Sequence, residues 1–519
     1  MVTTIETGLA RDEASIYREL STLDCPVFVV RDGQGVAVTT GERAARGARV
    51  LAAVPPLPPE SLGEAEFRRA HGVAYAYHAG AMANGIASAA MVAALARAGY
   101  LASFGAAGVV PAKIDEALSR IRRDAPGRPF ACNLIHSPSE PALERAIVDA
   151  CLRHEVRCVE ASAFLDLTPE VVRYRVAGLT PGGPANRVIA KVSRAEVAEH
   201  FLRPAPDRIV RLLLERGEIT PEQAELARQV PMADDITAEA DSGGHTDRRP
   251  LVVLVPEFLA LREEIRREAG YDQVVRIGAA GGIGTPAAAA AAFALGASYV
   301  VTGSINQASV EADQSEAAKR LLAAAGVADV EMAPSADMFE MGVEVQVLKR
   351  GTMFAGRAKR LYETYRLHDG IESLPPALRA ELEQRIFQRP LEEVWAECVR
   401  FFTERDPAQI ERAEGSPKRR MALIFRWYLG LSSGWSIAGT AERASDYQIW
   451  CGPAMGAFNT WVTGTYLAAP ANRHVADLAA QILRGAAFTG RIGQLRLAGV
   501  RLPAGCASYV PSPLPGGAP

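Results

Sequence analysis

The stretch VRIGAAGGIGTPAAAAAAFALGASYVVTGS, residues 275–304, carries the clearest architectural signal in the chain. It begins as a short apolar run, passes through a cluster of glycines, continues as an alanine-rich helical segment at Pro286–Leu295 and ends in a second apolar run. Thr285 is a residue type that caps helix N-termini, and proline suits the first helical position that follows it. The stretch therefore predicts two buried parallel strands joined by a crossover helix.

On the N-terminal side of this unit, the same alternation of apolar run, polar turn and helical segment recurs along most of the chain. The predicted strands are Val73–Met82, Tyr100–Gly105, Pro129–Ile135, Val156–Ala161, Arg187–Ser193, Asp235–Asp241, Gln273–Gly281 and Ser298–Ser304. Consecutive parallel strands need right-handed crossovers, and strand–helix units of this number and size fit a closed (β/α)8 barrel. An open, doubly wound parallel sheet is the competing α/β architecture.

Three regions fall outside the barrel, which we predict to span residues 66–331 with a helical insertion at about 203–230. Residues 1–65 are interpreted as a small N-terminal module and a linker, because they contain the proline-rich stretch VPPLPPE. Residues 332–487 have helical patterning and all five tryptophans, which indicates a large C-terminal helical lid domain. Residues 488–519 form a C-terminal segment whose tail, PSPLPGGAP, is predicted to be disordered.

Composition limits the classes of function. A net charge of −3 argues against a nucleic-acid binder, and no segment is apolar or long enough to predict a membrane span. The seven cysteines include no CxxC pair, and no secretory signal is visible, so we expect reduced thiols in a cytoplasmic protein. Cys151, His154 and Cys158 are close in sequence, but no second ligand cluster accompanies them, and we expect no metal.

The active site of such a barrel is built at the C-terminal ends of its strands. Strand one ends in Gly80, Ala81 and Met82, small or slender residues that let a flat ring approach the backbone, although a tight turn explains the glycine equally well. Strand three ends at Asn133, whose amide could donate to and accept from such a ring or cap a loop. Strand five contains Lys191, whose charge is costly to bury in an apolar strand without a partner. The side chain either points into the barrel mouth, where it could stabilise an anionic reduced flavin, or extends to the rim.

Strand six ends in the sequence ADSGGH, which places His245 after Gly243 and Gly244. Paired glycines let a ligand approach the backbone, and imidazole is the side chain best suited to proton transfer near neutral pH. A lone histidine is more often structural, but this position at a strand end favours a functional role.

The glycines after strands seven and eight predict a phosphate site. Gly281 and Gly282 directly precede a helix N-terminus, and Gly303 and Ser304 follow the adjacent strand, which is where barrels commonly hold phosphate. A Rossmann dinucleotide loop is the alternative. No acidic residue ends the next strand to bind a ribose, so a phosphate-bearing flavin fits better.

Several longer segments resemble a known family. GAMANGIAS (80–88), ADSGGH (240–245) and IGAAGGIGTP (277–286) are similar to the nitronate monooxygenase and 2-nitropropane dioxygenase superfamily of FMN barrels. Residues 333–366, 417–435 and 446–461 resemble more specifically the PfaD-type enoyl reductases of polyunsaturated fatty acid and trans-acyltransferase polyketide synthases. The resemblance covers roughly residues 20–505, and these long C-terminal segments are far more specific than a short glycine motif.

The resemblance implies an NADPH-dependent FMN enoyl reductase that acts on acyl chains bound to acyl carrier protein domains, and a homodimer is compatible with it. It implies catalytic roles for His245 and Lys191. The cofactor contacts that it implies, together with the paired glycines of strand six, are Gly80, Ala81, Met82, Asn133, Lys191, Gly243, Gly244, Gly281, Gly282, Gly303 and Ser304. The eighth strand ends TGSINQ, without the superfamily's usual Gly-Thr and aromatic, and this departure weakens the inference for Ser304 relative to the glycines.

Two other functions stay open at this point: a flavin oxidase or monooxygenase acting on nitronates, and a non-catalytic barrel kept as a synthase scaffold. The basic residues between positions 349 and 366, together with a second basic cluster at 418–426, also have two interpretations. They form either solvated helix faces with local ion pairs or a surface that steers an acidic carrier protein.

Overall fold

The computed structural model describes residues 8–137 and 141–514, so the last part of the predicted disordered tail, residues 515–519, lies outside it. The N-terminal module is an antiparallel sheet of strand order β2-β1-β3 with two short helices. Its elements are α1 (Glu13–Ser21), β1 (Val27–Asp32), β2 (Gly35–Thr39), α2 (Glu42–Arg46) and β3 (Arg49–Val54). Asp12 caps α1 by accepting from the backbone N–H of Ser15 at 2.9 Å.

The centre of the chain is a closed parallel barrel. Its strands and the short strands between them are β4 (Tyr77–Ala79), β5 (Leu101–Phe104), β6 (Ala131–Ile135), β7 (Cys158–Ser162), β8 (Leu179–Thr180), β9 (Gly183–Pro184), β10 (Arg187–Val192), β11 (Asp235–Glu239), β12 (Gly244–His245), β13 (Arg276–Ala280) and β14 (Val300–Thr302). The barrel order is β4-β5-β6-β7-β10-β11-β13-β14, and β14 pairs with β4 through Val300 and Tyr77. This closure confirms the predicted barrel and excludes the open sheet.

Helices follow the strands as the sequence predicts. They are α3 (Ala65–His71), α4 (Ala89–Arg97), α5 (Pro111–Asp124), α6 (Pro141–Arg153), α7 (Pro169–Ala177), α8 (Ala195–Leu202), α9 (Asp207–Glu215), α10 (Pro221–Leu226), α11 (Leu251–Ala269), α12 (Pro286–Ala294), α13 (Ser304–Gln307) and α14 (Glu316–Ala323). Thr285 caps α12 by accepting from Ala288 N–H at 3.3 Å. Thr220 and Gln223 form a reciprocal capping box on α10 in the insertion.

A buried ion cluster holds the bottom of the barrel. Asp235, at the start of β11, receives hydrogen bonds from the Arg276 guanidinium at 2.6 and 2.8 Å and lies 2.8 Å from His71 of α3. Burial alone would raise the pKa of Asp235, but the charges of Arg276 and His71 lower it. Because the cluster is buried, it fixes α3 against the N-terminal ends of the strands.

The segment after the barrel is mostly helical, as predicted, but it begins with two strands. Its elements are β15 (Val330–Pro334), β16 (Glu344–Leu348), α15 (Phe354–Leu367), α16 (Pro376–Glu381), a π-helical turn (Leu382–Phe387), α17 (Leu391–Arg405), α18 (Pro407–Glu414), α19 (Pro417–Ala438), α20 (Ala454–Val462) and α21 (Val475–Leu497). The strands β12, β16 and β15 form one antiparallel sheet, so a loop of the barrel and the lid share hydrogen bonds. β15 and β16 pair locally, with Pro334 opposite Glu344. The pairing of β16 with β12 joins residues that are far apart in the chain, and no local pattern indicates it.

The last long helix ties the ends of the chain together. A Cβ added at Gly485 of α21 would lie 2.4 Å from Pro286 Cγ, so this glycine permits close packing on α12. The buried guanidinium of Arg491 donates to the carbonyls of Leu20, Thr22, Leu23 and Cys25 at 2.8–3.0 Å. The N-terminal module is thus anchored by α21. In the part of the chain that the structure describes, no helix combines the length and apolarity needed to span a bilayer.

Candidate active site

A cavity of about 680 Å³ opens at the C-terminal ends of the barrel strands and extends under the lid. Its volume is in the range of sites for cofactors and small substrates. Every site residue expected from the sequence lines it: Gly80, Ala81, Met82, Asn133, Lys191, Gly243, Gly244, His245, Gly281, Gly282, Gly303 and Ser304. The fold therefore brings all of the predicted positions together, although their individual roles remain predictions.

The glycine loops after β13 and β14 form one end of the cavity. Gly281 and Gly282 have φ of +85° and +74°, in the region that favours glycine. A Cβ at Gly281 would lie 2.5 Å from the backbone of Ala240, whereas one at Gly282 or Gly303 would meet nothing within 4 Å. Close packing against Ala240 thus requires a glycine at position 281, whereas Gly282 and Gly303 leave open space beside the strand ends.

A segment that the sequence analysis did not place, residues 450–454, packs on these loops backbone against backbone. A Cβ at Gly243 would lie 2.9 Å from Cys451 N, and one at Gly284 would lie 2.2 Å from Ala454 O. The N–H of Gly452 donates to Ser304 Oγ at 3.0 Å. Gly243 therefore has a packing reason to be glycine in addition to any ligand contact, and Ser304 keeps only its hydroxyl hydrogen to offer a phosphate.

Lys191 points into the mouth, as expected, but it is not a lone charge. Its Nζ lies 3.1 Å from Glu239 Oε1 and 3.6 Å from Glu160 Oε1, and Glu160 Oε2 accepts from the N–H of Ala81 at 3.0 Å. Burial alone would lower the pKa of Lys191, but the two carboxylates raise it and keep the ammonium charged. Two carboxylates thus surround one ammonium in the cavity.

Sequence analysis missed both glutamates. The signal for Glu160 is the same as for Lys191, a charged residue within the apolar strand CVEAS. Glu160 is 1% exposed and lies 3.4 Å from His78, and burial, opposed by Glu160, lowers the pKa of His78 to about 4. His78 is therefore neutral near pH 7, and the negative charge of Glu160 is balanced mainly by Lys191.

Asn133 is more restricted than the sequence suggested. Its Nδ2 donates to the carbonyl of Glu160 at 3.0 Å and to Ser162 Oγ at 2.9 Å. Both amide hydrogens are used within the barrel, so the side chain can offer a ligand only its carbonyl oxygen. The expectation that it both donates to and accepts from a bound ring is corrected to acceptance alone.

His245 is paired with residues of the lid. Its Nε2 lies 3.3 Å from Asp337 Oδ1 and 3.2 Å from Ser335 Oγ, and Ser335 donates to the same carboxylate. Burial lowers the pKa of His245, but the hydrogen bond and charge of Asp337 outweigh it, and the net effect raises that pKa. Burial would raise the pKa of Asp337, but His245 and Ser335 lower it to about 2. The pair therefore favours an imidazolium beside a carboxylate, a suitable proton donor.

The outer wall of the cavity comes from α17 and α19. Phe401 and Trp427 meet edge to face with ring centroids 5.1 Å apart, and Phe402 lines the same wall. Arg426 donates to the carbonyl of Ala336 at 2.8 Å and lies 3.3 Å from Glu340. The wall is thus largely apolar, with its arginine already paired.

The basic stretch of the lid is mostly neutralised by local partners. Lys359 lies 2.7 Å from Glu331, Arg360 lies 3.1 Å from Glu381, and Arg350 lies 3.2 Å from Asp329. Exposed pairs of this kind contribute little to stability and leave little net field. This pairing favours the interpretation as ordinary helix surface over a steering surface.

Comparison with known proteins identifies the barrel. Residues 69–364 match the family model described as nitronate monooxygenase, which is more than half of the chain. The chain belongs to the nitronate monooxygenase family. Residues 368–447, which include α17 and α19, match a second model, described as the inserted helical domain of acyl-carrier-protein S-malonyltransferase.

Two curated relatives of this family member are named for fatty acid and polyketide biosynthesis. A polyunsaturated fatty acid synthase polypeptide of Thraustochytrium sp. is 47% identical over 490 residues, which are 92% of this chain and 33% of that protein. Polyketide biosynthesis protein PksE of Bacillus subtilis is 46% identical over 430 residues, which are 82% of this chain and 56% of that protein. The chain thus spans about a third and about half of these relatives.

A solved structure matches almost in full. The enoyl reductase domain of MlnA, from the macrolactin biosynthesis cluster of Bacillus amyloliquefaciens, is 38% identical, with a TM-score of 0.79. The match covers 85% of this chain and 99% of that domain. The lid is therefore part of a shared architecture and not an addition peculiar to this chain.

Proposed function

We propose that the chain is an enoyl reductase that uses NADPH and a bound FMN to reduce the α,β-double bond of an acyl thioester carried by an acyl carrier protein. The observation that carries the proposal is the 38% identity to an enoyl reductase domain that is matched over 99% of its length. The names of the relatives, a polyunsaturated fatty acid synthase and a polyketide biosynthesis protein, support the substrate class.

The residues at the strand ends fit an FMN. The open space at Gly282 and Gly303 suits the phosphate, which helix N-termini and glycine loops commonly bind. Asn133 can accept from a ring N–H, and Lys191 lies in the cavity floor. Gln307 supports the presence of a ligand, because it is 2% exposed, lines the cavity and leaves Nε2 without a hydrogen-bond partner among the described residues.

When bound, FMN would accept a hydride from NADPH and return it to the β-carbon of the enoyl thioester. The part of this chain is to position the substrate and to supply the proton for the α-carbon. His245 is the candidate donor, since Asp337 holds it as an imidazolium and it faces the same cavity. Lys191, flanked by Glu160 and Glu239, would set the charge of the cavity wall next to the flavin.

The carrier protein is proposed as partner because one relative is a polyunsaturated fatty acid synthase subunit and another a polyketide biosynthesis protein. The two other functions considered from the sequence remain testable alternatives. The family match by itself favours a nitronate oxidase. A non-catalytic scaffold is not favoured by any of the described residues of the cavity.

The experiment is a visible spectrum of the purified protein, repeated after anaerobic NADPH and again after an enoyl thioester. We expect a yellow protein that NADPH bleaches and that crotonyl-pantetheine re-oxidises without oxygen. Re-oxidation by a nitronate with oxygen, and none by the thioester, would favour the oxidase. Colourless protein that binds no added FMN would favour the scaffold.

A further inference from the structure

One face of α19 borders the cavity along its length. Trp427, Gly430, Leu431, Gly434 and Ile437 all line it, with the three-and-four spacing of a single helix face. Ten residues of helix correspond to about 15 Å. The face therefore forms a long wall of the cavity. It begins at the aromatic pair of Phe401 and Trp427 and continues toward Ile437.

Two glycines lie in the middle of this face. A Cβ built at Gly430 or Gly434 would meet nothing within 4 Å. Glycine inside a helix destabilises it relative to alanine, and among the described residues no neighbouring element approaches closely enough to require it. The contrast is Gly485 of α21, where a Cβ would lie 2.4 Å from Pro286. Packing explains Gly485 but not the glycines of α19, whose effect is to keep the cavity open.

A second observation points to a ligand in the same cavity. The side chain of Gln307, at the end of α13, is 2% exposed, and its Nε2 has no acceptor in the part of the chain that the structure describes. A buried amide donor without a partner is costly, and a ligand oxygen would satisfy it once the side chain turns toward the cavity that it lines. The cavity thus combines a smooth apolar wall with a donor, which suits a long apolar chain that carries carbonyl groups.

We propose that the acyl chain of the substrate lies along this face of α19, that Gly430 and Gly434 determine which chain lengths and branches are accepted, and that Gln307 donates to a carbonyl oxygen of the same substrate. This proposal rests on the proposed function, and it assigns the specificity for the acyl chain of the substrate to the lid. The glycines act by leaving space, so a side chain in their place should exclude bulk and leave the cofactor site intact.

The test compares Gly434→Ala, Gly434→Leu and Gly430→Ala with Gly493→Ala, a matched control. Gly493 lies inside α21, its added Cβ also meets nothing within 4 Å, and it does not line the cavity. The probes are saturated acyl-pantetheines, butanoyl and a long-chain form, titrated into the FMN-loaded protein by calorimetry. This binding readout needs no turnover, so it is separate from the assay of enoyl reduction.

We expect Gly434→Leu to reduce the ratio of long-chain to butanoyl affinity by about tenfold or more. The two alanine variants should reduce it less, keep full flavin content and unfold at temperatures no lower than wild type, since alanine favours helix. Gln307→Met should weaken both probes without loss of FMN. The control variant, Gly493→Ala, should change neither the ratio of the two affinities nor the flavin content.

An unchanged affinity ratio in Gly434→Leu would contradict the proposed acyl-chain groove. Loss of FMN in the alanine variants would contradict it as well, because it would show that the glycines contact the cofactor. Should Gly434→Leu fail to fold, the alanine variants decide. A wild-type protein that binds the probes but reduces no enoyl thioester would contradict the proposed function and leave the groove supported.

Discussion

The carboxylate of Asp337 lies 3.3 Å from Nε2 of His245, although Asp337 belongs to the segment after the barrel and His245 to a barrel loop. The two meet because β12, which contains His245, pairs with β16 of the lid. The proposed proton donor is therefore completed only when the lid is folded onto the barrel. This dependence makes the pair the most direct place to test the mechanism.

Replacing Asp337 by asparagine should lower the pKa of His245, because the charge that stabilises the imidazolium is removed. A general acid must be protonated, so its activity falls as pH rises through its pKa, and the alkaline limb of the profile should move to lower pH. The rate at neutral pH should fall by less than the roughly 10²–10⁴-fold expected for losing the imidazole itself. The measurement is the pH dependence of re-oxidation by an enoyl thioester. Asp329→Asn, which breaks an exposed pair on the lid, is the control, and an unmoved limb in Asp337→Asn would argue against the pairing.

His245→Ala should separate the two half-reactions. Reduction of FMN by NADPH should be largely retained, whereas re-oxidation by the enoyl thioester should slow by about 10²–10⁴-fold. Stopped-flow absorbance of the flavin follows both steps. Equal slowing of both would mark a residue that positions the cofactor, and unchanged turnover would remove His245 from the chemistry.

Gly282→Asp should abolish FMN binding while the barrel stays folded. The position has φ +74° and open space for a Cβ, so a side chain fits there but strains the backbone, and asparagine and aspartate share that strain. The difference between the two variants is the carboxylate charge beside the proposed phosphate. Gly282→Asn is the matched control, with the same shape and no charge, and it should keep most of the flavin. Flavin content after gel filtration and far-ultraviolet circular dichroism are the readouts. Full yellow colour in the aspartate variant would contradict the phosphate assignment.

Glu239→Gln should raise the midpoint potential of the bound flavin. Removing one of the two carboxylates around Lys191 leaves more net positive charge in the cavity, which would stabilise an anionic reduced flavin bound there. We expect a change on the order of 30 mV, which corresponds to about 1.4 kcal/mol in a two-electron couple. Spectroelectrochemical titration measures it. A shift to more negative potential would show that Glu239 acts by holding Lys191 in place rather than by its charge.

The local sequence was sufficient to predict the barrel fold and the main residues that line its mouth. The alternation of apolar runs and helical segments depends on neighbouring residues, so the strand β13, the helix α12 and the strand β14 could be predicted from residues 275–304 alone. Lys191 and His245 were identifiable because their types are unusual at the ends of buried strands. These signals lie within a few residues of each side chain.

The partners of those side chains could not be predicted from local sequence and became known from the folded chain. Asp337 beside His245, Glu160 and Glu239 around Lys191, and Cys451 against Gly243 join residues far apart in the chain. Their contacts depend on how the lid folds over the barrel and on which strands are neighbours, and no local periodicity encodes that. The sequence therefore determined which strand ends face the cavity, because those signals are local. Packing determined which other residues join them, and with that the charge, the hydrogen-bonding capacity and the space of the site, because these depend on contacts between distant segments.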